Sequence, residues 1–104
     1  MLIKRSILFA ASLTLVACAP PQERSAQQIY QQNCAGCHGD EGGGGVGPAL
    51  AGNRALEDAA QTTNRIVNGG GGMPAYGGRL SEEQISAVVT YIRTSWGNDY
   101  DQAE

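Results

Sequence analysis

Five consecutive residues constrain this chain more than any others: Cys34-Ala35-Gly36-Cys37-His38. Two cysteines two residues apart, followed at once by a histidine, form the attachment pattern of a c-type haem. The spacing has a chemical reason. Each thiol adds to a vinyl group on one edge of the macrocycle, and the two-residue gap lets both sulfurs reach that edge from a single turn. The next residue is then held beneath the iron, where His38 serves as proximal imidazole. Three other uses of these residues fit less well. A redox-active dithiol usually starts a helix in a strand–helix–strand context, and no alternating strand pattern occurs here. A structural disulfide is the second. The third is zinc, which wants four Cys, His or carboxylate ligands. His38 is the only histidine, and adjacent Cys37 and His38 cannot easily share one tetrahedron with Cys34.

The rest of the composition agrees with a large apolar cofactor. At 104 residues the chain is one small domain at most. It has 15 glycines and a single phenylalanine, Phe9, which falls in the leading segment. Few large aliphatic side chains remain to fill a core, and a chain this short has trouble building one alone. A bound macrocycle supplies the missing volume.

Residues 1–17 do not belong to that domain. Lys4 and Arg5 precede an apolar run from Ile7 to Val16, too short for a confident transmembrane helix and suited to an export signal. It ends in Leu15-Val16-Ala17-Cys18, which resembles the lipobox of bacterial lipoproteins. That resemblance implies cleavage before Cys18 and lipid on it. The alternative is an ordinary secretory signal that happens to contain a cysteine. More than one acyl chain gives stable retention, so the expected location is the periplasmic side of a bacterial membrane, lipid-anchored. Residues 18–24, with Pro20 and Pro21, read as a short stiff tether. The three cysteines are then all assigned, one to lipid and two to haem.

Residues 25–97 read as an all-α domain of about three main helices joined by glycine-rich loops. Ser25 with Gln28 makes a capping box for a helix over Ala26 to Asn33, which delivers the chain into Cys34. Asn53 caps a second helix over about Arg54 to Val67, stopped by Asn68 and Gly69. Ser81 with Gln84 caps a third, whose apolar face is Ile85, Val88, Val89 and Ile92. Glu82 and Glu83 in its first turn and Arg93 in its last match the helix dipole. Gly97 ends it, and residues 98–104 are expected to form a flexible tail.

The order of these pieces resembles the class I cytochromes c over nearly the whole span from Ser25 to Trp96. The resemblance rests on an aromatic-bearing helix before Cys34, the Cys34–His38 motif, Val46-Gly47-Pro48-Ala49-Leu50, Gly72-Met73-Pro74-Ala75-Tyr76 and the final helix. It implies a cytochrome c-like fold around one covalent haem c, with His38 and Met73 as axial iron ligands. Elimination also favours Met73, because the only other methionine is Met1. Met73 sits in a Gly-Met-Pro loop rather than on an apolar helix face, which weakens its reading as a core gap-filler. Pro48 resembles the family proline whose carbonyl accepts from the proximal histidine; the alternative is a simple loop proline. Tyr30 and Tyr91 resemble the pair at which the family's first and last helices cross. Trp96 belongs at that junction or at the haem edge. Tyr76 and Arg79 are candidates for a haem propionate or for plain loop and surface roles.

Charge limits the partners. All ten acidic residues follow Cys18, and no lysine follows Lys4. So acidic a surface is ill-suited to nucleic acid, and it lacks the lysine ring through which mitochondrial-type cytochromes c dock. Small apolar patches or a basic partner surface fit better. The expected function is one-electron transfer between redox proteins, without catalysis, as a monomer or as a subunit of an exported dehydrogenase or oxidase complex. A peroxidase or gas-binding haem needs Met73 to be displaceable, and a haem-free dithiol oxidoreductase needs free thiols.

Overall fold

Ser25 and Gln28 close their capping box as expected: Gln28 N donates to Ser25 Oγ at 3.1 Å, and Ser25 N donates to Gln28 Oε1 at 2.8 Å. The computed structural model describes residues 24–100. The export segment, Cys18, the tether up to residue 23, and residues 101–104 of the tail lie outside the described residues. Helix α1 spans Ala26–Asn33. A one-turn helix, α2, spans Ala35–His38. A 3₁₀ turn spans Arg54–Glu57, α3 spans Ala59–Asn68 and α4 spans Glu82–Arg93. The only extended pairing among the described residues is an isolated bridge between Gly70 and Met73.

The core forms where α1 and α3 pack on α4. Ile29 and Tyr30 are fully buried and Val88 is 1 % exposed. Ile85, Val88, Val89 and Ile92 share one buried face of α4, as their spacing dictates. Each such apolar side chain contributes about 1.5–3 kcal/mol when fully removed from water. Tyr30, Tyr91 and Trp96 meet at the crossing, with ring centroids 4.9 to 5.6 Å apart, in the range of favourable tilted and edge-to-face pairs. Trp96 thus belongs to the helix junction.

Three expectations need correction. The helix expected over Arg54 to Val67 is two elements. Asp58 leaves the helical region at φ −92° and ψ 102°, and its side chain accepts from Gln61 N to start α3. A short acidic side chain that caps the next turn competes with an uninterrupted helix. The last helix ends at Arg93 rather than at Gly97. Arg93 lies in the last turn, as expected; it is buried and donates from Nε to Leu56 O at 2.7 Å and from Nη2 to Glu57 O at 3.1 Å. Finally, the segment after Gly97 does not fray at once. Asn98 is buried, and Tyr100 N donates to Arg93 O at 2.9 Å.

Candidate cofactor site

Helix α1 ends at Asn33, and Cys34 serves both as its C-cap and as the residue opening α2. The two elements therefore place the Cys34–His38 motif on one tight turn. Cys34 is half-buried, Cys37 is exposed, and neither is in a disulfide. Burial, with Cys37 as a smaller contributor, pushes the Cys34 thiol up to about 11. A dithiol nucleophile needs the opposite shift, because the thiolate is the reactive form. The dithiol use of this pair thus finds no support in the local structure. Among the described residues no cluster of three or more His, Cys, Asp or Glu side chains offers a metal site of the zinc type either.

His38 is held from two sides. Its Nδ1 lies 2.8 Å from Pro48 O. A carbonyl only accepts, so Nδ1 carries the proton and Nε2 keeps its lone pair for a ligand. Gly47 lies against the same ring, where an added Cβ would stand 3.0 Å from Cε1 and 3.1 Å from Nδ1. A larger residue there would push on the ring by a few tenths of an ångström. The loop beneath is pinned by Gly44 N donating to His38 O at 2.7 Å and Gly47 N to Cys37 O at 2.8 Å.

Met73 reaches the same cavity on a two-residue reversal. Gly70 N donates to Met73 O at 3.0 Å, and Met73 N donates to Gly70 O at 3.1 Å. Gly71 and Gly72 between them have φ of 63° and 91°. That is the φ pattern of a type I′ turn, which needs positive φ at both central residues. The pair of glycines was a readable hairpin signal. The loop then returns to α3, with Tyr76 N donating to Ile66 O at 2.9 Å and Gly77 N to Val67 O at 3.1 Å. Tyr76 is buried, and its hydroxyl donates to Asn33 O at 2.9 Å.

Cys34, Cys37, His38, Pro48 and Met73 all line one cavity of about 480 Å³, within the range of cofactor and ligand pockets. Its floor is apolar, with Leu56, Ile66, Val88 and Ile92 contributing. The donor set fits a haem c: two thiols, an imidazole and a thioether line one cavity with apolar side chains. Arg65 is the one cation among the lining residues, and sequence reasoning missed it. Arg79 is not a lining residue; it stands over the Tyr76 ring at 5.7 Å. Burial chiefly, and then Cys34, raises Tyr76 above the usual tyrosine value, against an opposing pull from Arg79.

Comparison with known proteins places this geometry. The sequence profile described as cytochrome c oxidase, cbb3-type, subunit III matches residues 21–92. The cytochrome c subunit of a quinone-dependent alcohol dehydrogenase from Gluconacetobacter polyoxogenes is 40 % identical over 84 residues, covering 66 % of this chain and 18 % of that protein. The chain therefore spans about a fifth of that relative's length. Cytochrome c6 of Leptolyngbya boryana is 35 % identical over 75 residues, covering 62 % of this chain and 82 % of that one. Among solved structures, cytochrome c6C from Synechococcus sp. PCC 7002 superposes with a TM-score of 0.57 at 29 % identity, covering 71 % of this chain and 98 % of that chain.

Proposed function

We propose, from the premise that this chain belongs to the cbb3-type subunit III family of class I cytochromes c and transfers electrons through a covalent haem c, a specific residue assignment and location. Cys34 and Cys37 carry the thioether bonds. His38 Nε2 and Met73 Sδ would ligate the haem iron, and Pro48 O sets the orientation and basicity of the imidazole. When bound, the haem supplies a one-electron iron couple. The observation that carries the assignment is that His38, already locked by Pro48, and Met73 line the same cavity as the two thiols.

Each residue then has a task. Pro48 O accepts from His38 Nδ1–H and keeps Nε2 aimed at the iron position. Pro74 holds Met73 in extended backbone. The Met73 thioether, a soft donor, favours the reduced state and raises the potential. With both donors on the iron, the site would suit electron transfer rather than substrate binding. Arg65 offers a counter-charge to a propionate.

Cytochromes c of this kind work on the exported, periplasmic side. Within that setting, Leu15-Val16-Ala17-Cys18 supports a lipid anchor at Cys18. Among the described residues no helix is long and apolar enough to cross a membrane. Replacing Cys18 by Ser should release the cytochrome into the soluble periplasmic fraction; a variant still held by membranes overturns the anchor. Docking suits a basic partner surface, because all ten acidic residues follow Cys18 and no lysine follows Lys4.

A second reading is a dedicated subunit of a larger complex. The match to an oxidase subunit and the relative that is a dehydrogenase cytochrome subunit favour it. Stable co-purification with an oxidase or dehydrogenase separates it from a free shuttle.

The assignment is tested by absorption spectra of protein matured in a host with c-type haem machinery. Low-spin bands with the weak Met–iron charge-transfer band in the oxidised form are expected. High-spin bands overturn Met73, and a haem-free product from a competent host overturns the whole assignment.

A further inference from the structure

The segment after α4 does something the axial ligands alone do not explain. Asn98 is 7 % exposed, and its side chain uses both ends. Nδ2 donates to Leu50 O and to Ile92 O, each at 2.9 Å. Oδ1 accepts from Gly52 N at 2.7 Å. One amide therefore joins the last turn of α4 to the loop that carries Pro48, across 46 and 48 residues of sequence. Two residues earlier, Trp96 lies against Gly42, so closely that a Cβ there would overlap the indole. Gly42 O in turn accepts from Leu50 N at 2.8 Å and Ala51 N at 2.9 Å. Trp96 has φ 55°, a conformation that a bulky side chain keeps only where its surroundings over-determine it.

We infer that Asn98, with Trp96 beside it, is a positioning residue for the iron site: it clamps loop 42–52 to α4 and so holds Pro48 O against His38 Nδ1. The route is short. Leu50 and Gly52 follow Pro48 by two and four residues, and Gly47, just before it, lies on the imidazole. On its other side Pro48 is tied through Gly47 N to Cys37 O at 2.8 Å, while the Val46 side chain just before that tie is 92 % exposed. Without the clamp, Pro48 is anchored on its Gly47 side alone, and its carbonyl is no longer fixed from both sides against the imidazole. A freed Nδ1–H makes a less basic ligand. The C-terminal segment thus tunes the haem from outside its coordination sphere.

The inference rests on His38 as axial ligand. The experiment uses the haem-loaded protein, with the parent spectrum recorded first. A parent without low-spin His/Met bands fails that ligand reading, and only a normal parent tests the clamp. Asn98→Asp keeps the acceptor for Gly52 N and removes both donors. In the diamagnetic reduced form, the His38 Nδ1–H should exchange with solvent at least about tenfold faster in this variant, the scale of one lost buried hydrogen bond acting on a local opening. The reduction potential should shift as well. Ser81→Ala, which weakens α4 at its far end, serves as the control and should leave both readouts at the parent values. If Asn98→Asp only lowers the unfolding midpoint and leaves exchange and potential unchanged, the residue is merely structural and the inference is wrong.

Should that variant fail to mature with haem, the parent still decides. Gly52 N–H and His38 Nδ1–H should then exchange as one cooperative unit, with protection factors agreeing within about threefold. Exchange of His38 independent of Gly52 overturns the clamp.

Discussion

At the α1–α4 crossing, Ile29 and Tyr30 are wholly removed from solvent and Val88 nearly so. In loop 42–52, Val46 is 92 % exposed and the chain is held mainly by backbone hydrogen bonds and by the side chains of His38, Asn53 and Asn98. The loop 69–77 around Met73 is similar, built on a glycine reversal and two backbone bonds to α3. Both regions face the same cavity, yet their stability has different sources. The crossing is secured by apolar area, which is non-directional and spread over many atoms. The loops are secured by geometry, where single positions carry the outcome. Damage to the crossing should therefore appear as global unfolding. Damage to the loops should appear first as a changed iron site on an intact helical frame.

The largest expected effect breaks the crossing. Tyr30→Ala removes a fully buried ring, its contacts with Tyr91 and Trp96, and its hydroxyl bond to Gly39 O at 2.7 Å. Loss of a buried aromatic costs about 4 kcal/mol. Denaturant unfolding of the haem-loaded variant should show one transition, moved by that amount for absorbance and helicity alike. Separate transitions for the two probes contradict a crossing that acts as a single unit.

A loop lesion sharpens the contrast. Gly69 has φ 68°, and a Cβ there would meet Met73 O at 2.5 Å and both Ala75 N and Pro74 C at 2.8 Å. All three are backbone atoms, so no side chain can step aside. Gly69→Ala adds left-handed strain and overpacking of about 3 kcal/mol together. The Met–iron charge-transfer band should vanish while far-ultraviolet helicity stays at the parent level. Loss of helicity in step with the band means that the loop and the frame are not separable.

Alkaline pH probes the crossing more gently. Burial, with a smaller push from Cys34, moves the Tyr30 hydroxyl up to about 12. The folded value lies above the unfolded one near 10, so the fold favours the neutral phenol. Its contribution is whole below pH 10 and is lost as pH rises from about 10 through about 12. The loss should be about 2 kcal/mol, and Tyr30→Phe should flatten that part of the profile. An unchanged profile in the Phe variant assigns the alkaline loss to other groups.

The same contrast governs how far the sequence could be read. The capping boxes of Ser25 and Ser81 and the apolar face of α4 are local patterns, and the structure has them where expected. The Cys34–His38 motif and Met73 were legible because their spacing and loop context are chemical requirements. Asp58, Arg93 and Asn98 were not. Arg93 reaches back 36 and 37 residues to Glu57 and Leu56, and Asn98 reaches back to Leu50 and Gly52. A pattern with a period of a few residues carries no record of such pairings. Arg65 was missed for a related reason: only the packing of α3 shows that it lines the cavity.

The smallest effect tests whether locally encoded structure is also energetically local. In α4, Ser81 Oγ accepts from Gln84 N at 3.1 Å, and Gln84 Oε1 accepts from Ser81 N at 2.9 Å. Ser81→Ala removes one half of that box and should cost about 1 kcal/mol. The cap lies at the end of α4 opposite Arg93, with no hydrogen bond to either glycine loop. The unfolding midpoint should fall accordingly, while the absorption spectrum and reduction potential stay at the parent values. A shifted potential means that α4 transmits strain along its length to the iron site, and the division between frame and loops then fails at its most conservative point.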